Sequence, residues 1–100
     1  LLNLAMNFES VLMPAVYSQA DATWLQQQLL SLTPAARQKA TARYAEVYQQ
    51  AFESEPVSYR QENRARHEAN VRLRLFVLNQ GRALQGYTAE PPLAGSPARY

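Results

Sequence analysis

The chain has 100 residues, 47% of them hydrophobic, with no cysteine, one histidine and a formal net charge of +2. A chain of this length holds at most one domain and buries only roughly 60–65% of the surface its unfolded form exposes, so its core is thin. The composition excludes disulfides, cysteine-ligated zinc and thiol catalysis, and its apolar content is too high for global disorder.

Three glycines against many alanines and glutamines favour helix over sheet. No apolar run approaches the ~20 residues of a membrane span, so a membrane partner is not expected. The lack of cysteine suits a reducing, cytoplasmic setting. The first methionines are Met6 and Met13. Either could be the true start, or the chain is a piece of a longer one. The segment before them lacks the basic beginning of a signal peptide.

Residues 1–17 show no clean period, and Pro14 breaks any helix through them. They read as an N-terminal arm in which Phe8, Val11, Leu12, Val16 and Tyr17 could lie over a core. The helical domain is expected over 18–82. Its first helix is predicted at about 19–32, with Ser18 as cap and Asp21 three residues on in a capping-box spacing. Leu25, Leu29 and Leu32 share one face with Ala22, and Trp24 lies at the edge of that arc.

The second helix is predicted over 34–54. Thr33 is a good N-cap, Pro34 suits the first helical position, and Pro56 stops the helix. Ala36, Ala40, Tyr44, Val47, Tyr48, Ala51 and Phe52 form its apolar arc. Lys39, Arg43, Glu46, Gln50 and Glu53 lie opposite.

The third helix restarts at Ser58, with Gln61 again at capping-box spacing, and runs to about 79 or 80. Gly81 is a natural C-terminal cap, although the helix could fray to Gly86. Ala65, Ala69, Leu73, Phe76 and Val77 make one apolar face, and Val71, Leu75 and Leu78 make a second. One face suffices for a three-helix layer. Either the arm covers the second stripe, or the stripe is a surface for a protein partner or a homodimer. Residues 83–100 hold Pro91, Pro92, Gly95, Ser96 and Pro97 and read as a flexible tail. The expected fold is all-α, a small three-helix bundle with an N-terminal arm and a disordered C-terminal tail. Trp24, Leu25, Leu29, Tyr44, Val47, Tyr48, Phe52, Leu73 and Phe76 are its expected core.

Charge is unevenly placed. Between 60 and 82, six arginines stand against Glu62 and Glu68, whereas acids exceed bases by two over residues 1–59. On the helical wheel Arg60, Arg64, His67 and Arg74 fall on one side, with Arg66 and Arg72 elsewhere. Guanidinium groups suit phosphate, so Arg60, Arg64, Arg66, His67 and Arg74 are candidate contacts for nucleic acid or for an acidic protein. The competing reading is a solvated face, with some arginines paired to Glu46, Glu53 or Glu55.

No catalytic or metal-binding constellation is complete. His67 has Arg60, Arg64 and Asn63 as helical neighbours, no Gly-x-Ser-x-Gly turn or glycine-rich phosphate loop occurs, and Glu53 and Glu55 do not form a facing pair. An enzyme is not expected, nor a metal, a cofactor or a small-molecule substrate.

The run Arg43-Tyr44-Ala45-Glu46-Val47-Tyr48, then Phe52-Glu53-Ser54-Glu55-Pro56, then Arg66-His67-Glu68-Ala69-Asn70-Val71-Arg72-Leu73-Arg74-Leu75-Phe76 resembles small helical proteins encoded by temperate phages and prophages. The resemblance spans about residues 24–78. It implies a bacterial cytoplasmic setting and an accessory role in phage biology, and it carries no residue role. The expected function is therefore that of a small interaction or adaptor protein working through its third helix. The alternative is a nucleic-acid-binding accessory factor that uses the arginines of the same helix.

Overall fold

The computed structural model describes residues 12–84. Three α-helices follow one another: α1 (Ala22–Leu30), α2 (Pro34–Ser54) and α3 (Gln61–Leu84). Single 3₁₀ turns lead into α1 at Gln19–Asp21 and into α3 at Ser58–Arg60. There is no strand among the described residues. The fold is the expected all-α three-helix bundle.

Helix α2 begins as the sequence dictates. The Thr33 hydroxyl accepts from the Ala36 N–H at 3.3 Å, and Pro34 occupies the first turn, where an N–H has no helical partner. Glu55 turns extended ahead of Pro56, which ends the helix. The last carbonyls are then satisfied from across the turn. Gln61 Nε2 donates to the carbonyls of Phe52 at 3.0 Å and Glu55 at 3.2 Å. Gln61 therefore closes the end of α2 and does not form a capping box with Ser58, which sits inside the 3₁₀ turn. Arg37 works in the same way on α1, donating to the carbonyls of Leu29 and Leu32 at 2.8 Å each.

Gly81 is not a cap. Helix α3 passes through it to Leu84, and a methyl group there would meet nothing within 4 Å. A glycine in a helix costs only about 1 kcal/mol against alanine, which the surrounding turns absorb.

Helices α2 and α3 run antiparallel, as Gln61 lies beside Phe52 and Asn70 beside Tyr44. Small residues line their contact: Ala40 and Ala51 of α2, and Ala65 and Ala69 of α3, are buried together. Helix α1 lays Leu25 and Leu29 across this hairpin, with Leu32 just beyond its end. Tyr44, Val47, Tyr48, Leu73 and Phe76 complete the core. Trp24 and Phe52 were expected inside it but lie half-buried at its rim. Both are large rings at the edges of their apolar arcs, where a thin bundle leaves one side open.

The described part of the arm packs Met13, Val16 and Tyr17 against the core and buries Pro14. Leu12, expected with them, is 62% exposed. Phe8 and Val11 lie outside the described residues, as does the predicted tail beyond Leu84.

Candidate protein interaction surface

Helix α3 presents three flanks, and its charged residues are divided among them. The flank toward α1 carries Glu62, Arg66 and Asn70, one turn apart. Arg66 grips Asp21 with two parallel hydrogen bonds, Nε to Oδ2 at 2.8 Å and Nη2 to Oδ1 at 3.0 Å. Asn70 Nδ2 donates to the same carboxylate at 3.1 Å, and Asn70 Oδ1 accepts from the Tyr44 hydroxyl at 2.5 Å. The Arg66 hydrogen bond holds the Asp21 carboxyl below the usual carboxylate range, against the opposing pull of burial. Burial and the nearby Asp21 charge push the Tyr44 phenol well above its ordinary value, so it remains a donor. A turn away, the buried Ser18 hydroxyl donates to Glu62 Oε2 and meets the Tyr48 hydroxyl at 3.1 Å.

This seam corrects the reading of the first helix. Ser18 makes no side-chain cap bond, and Asp21 pairs across the bundle. Both residues tie the entry of α1 to α2 and α3. The seam had a sequence signal in the four-residue spacing of Glu62, Arg66 and Asn70, which places a polar row on one helix flank.

The arginines singled out from the sequence do not act together. Arg66 belongs to the seam. Arg64 meets Glu55 at 3.3 Å on the side toward α2, with its own side chain 48% exposed. Arg74 turns the other way, and its guanidinium lies 5.4 Å from the centre of the Trp24 ring, on α1. Arg60 stacks 5.6 Å over its neighbour Tyr59. His67 is exposed. Four of the five candidates thus already have an intramolecular contact, and Arg66 and Arg74 face α1.

The flank toward α2 borders a shallow groove of about 260 Å³ lined by Val47, Ala51, Ser54, Arg64, Glu68 and Arg72 among others. A second groove, about 400 Å³, lies between Ala15–Val16 and the stretch Ala45 to Gln50. Among the described residues no three His, Asp or Glu side chains come together as a metal site, and no helix is long and apolar enough to cross a membrane.

The outer flank holds the second apolar stripe. At 100° per residue, Val71 and Leu78 point roughly opposite to the buried Ala65, Ala69 and Phe76, and Leu75 lies beside them. Leu75 is 37% exposed and Leu78 49%, while Val71 is half-buried. In the described arm, Ala15 and Val16 lie against Ala45, Glu46, Gln49 and Gln50 of α2, and Gln50 also borders the groove toward α3. Comparison with protein-family models, curated proteins and solved structures gives no match to the chain.

Proposed function

We propose that the chain is a small non-enzymatic interaction module that binds a protein partner through the outer flank of α3, with Val71, Leu75 and Leu78 at the centre of contact. The observation that carries this reading is the alignment of Leu75 and Leu78 on one solvent-facing flank at 37% and 49% exposure. Single exposed leucines are ordinary on small proteins, whereas neighbours in a row on a secure helix form a surface. A bacterial cytoplasmic setting and an accessory role in phage or prophage biology belong to the same proposal. They rest on the resemblance over about residues 24–78.

The arginines weigh against the nucleic-acid alternative. A backbone-tracking helix needs several free cations on one side. Here Arg66 is held by Asp21, Arg64 by Glu55, and Arg74 lies over Trp24.

A capture experiment from bacterial lysate, with and without nuclease, separates the two. A protein retained after nuclease treatment, and lost with Leu75→Ser plus Leu78→Ser, supports the proposal. Retention that vanishes with nuclease and falls steeply with salt, yet survives the leucine changes, refutes it.

A further inference from the structure

Resting on that reading of the outer flank, we propose that its occupant is a second copy of this chain, paired antiparallel along α3 about Leu75.

The spacing on this flank is that of a helix–helix seam. Glu68, which also borders the groove toward α2, and then Val71, Leu75, Leu78 and Arg82 follow one another at alternating steps of three and four residues. That alternation keeps a row facing a partner helix along its length. A solvated face has no need of it.

The charges select the partner and its direction. Leu75 sits at the middle of the row, with Glu68 seven residues before it and Arg82 seven after. Each lies about 10 Å from Leu75 along the axis. A two-fold axis at Leu75 with antiparallel helices brings Glu68 of each copy opposite Arg82 of the other. The interface is self-complementary, with two equivalent ion pairs flanking the leucines. Val71 and Leu78 then lie within one turn of each other across the axis. Parallel helices would instead set Glu68 and Arg82 each against its own copy, two like-charge contacts per pair.

Glu68 and Arg82 are available for this role. The ion pairs of the bundle join Arg43 to Glu46, Arg64 to Glu55 and Arg66 to Asp21. Among the described residues neither Glu68 nor Arg82 has an ion-pair partner. The row from 68 to 82 covers about 21 Å of helix, enough for a small interface below the usual size of a permanent one. The association is therefore weak and concentration-dependent.

Sedimentation of the full chain from micromolar to about 1 mM tests the proposal. A monomer–dimer equilibrium is expected. Glu68→Arg or Arg82→Glu alone weakens it on the order of ten-fold, as two exposed ion pairs become two repulsions. The combined Glu68→Arg, Arg82→Glu chain recovers it. Since the chain has no cysteine, Glu68→Cys mixed with Arg82→Cys gives the mixed disulfide on mild oxidation. A chain that stays monomeric, a charge swap that does not recover association, or 68–68 and 82–82 disulfides in place of the mixed one overturns the proposal. In the monomeric case the labelling rate of Leu78→Cys decides the wider reading. Labelling as fast as a free thiol leaves the flank open to a different protein, and only the second copy is refuted. A protected Cys there means that the chain covers its own stripe, and both readings fall.

Discussion

Tyr44→Phe isolates the link between the core and the polar seam. The ring is fully buried, and its centre lies 6.2 Å from that of Tyr48. Phenylalanine keeps that packing and removes only the hydroxyl, which donates to Asn70 Oδ1 at 2.5 Å. The direct loss is one hydrogen bond, about 1 kcal/mol net. Asn70 Oδ1 is then left without its donor. Because Asn70 is only half-buried, water can reach it in part, and the total stays at about 1–2 kcal/mol. For a domain this small, that lowers the melting temperature by roughly 5–15 °C. The assay is urea and thermal unfolding at neutral pH of Tyr44→Phe, Asn70→Ala and the double variant. A coupling of about 0.5–1.5 kcal/mol is expected. A coupling indistinguishable from zero, or a Tyr44→Phe chain as stable as the parent, refutes the seam as a structural tie.

Acid should loosen the same seam. The folded-state pKa of Asp21 is depressed, so its contribution is fully present above its unfolded value of about 4 and is lost as pH falls through the lowered one. Melting temperatures therefore drop below about pH 4, and Asp21→Asn flattens that part of the profile; an unaltered profile in the variant refutes the assignment. Phe76→Ala should cost about 3–5 kcal/mol in urea unfolding, and Phe52→Ala clearly less, since Phe76 is 3% exposed and Phe52 only half-buried. Equal costs contradict the rim position of Phe52. Thr33→Ala should cost about 1 kcal/mol by removing the cap on Ala36 N–H, and Thr33→Asp should recover most of it. Arg74→Ala should change the fluorescence of Trp24, the only tryptophan, without lowering helix content.

The helices were legible because their signals are local. Thr33-Pro34 and Glu55-Pro56 fix α2 through backbone sterics that no tertiary contact needs to help. The leucine row of α1 and the alanine-rich row of α3 point inward as their period requires. The polar choices were less legible, because Ser, Asp and Gln at helix entries have two possible partners. Ser18–Asp21 and Ser58–Gln61 both carry the spacing of a reciprocal cap. In the fold, Asp21 finds a guanidinium across the bundle and Gln61 finds two carbonyls at the end of the preceding helix. Charged and bidentate bonds outweigh a neutral cap, so the tertiary partner wins. Gly81 failed as a stop for a similar reason. Glycine permits a helix end but does not compel one.

The division of arginines changes what the third helix can be. From the sequence, its positive charge and its second apolar stripe look like two competing surfaces, one for phosphate and one for protein. In the fold, Arg66 and Arg74 turn toward α1 and Arg64 toward Glu55 on the side of α2. The outer flank keeps the leucines, with Arg82 seven residues after Leu75 and Glu68, at the edge of the groove toward α2, seven before it. A flank of mixed charge around an apolar centre repels a polyanion at one end while it attracts it at the other. The same arrangement rewards a helix that carries it in reverse order. In the pairing proposed above, charge on this flank selects partner and direction, and the apolar contact supplies the affinity.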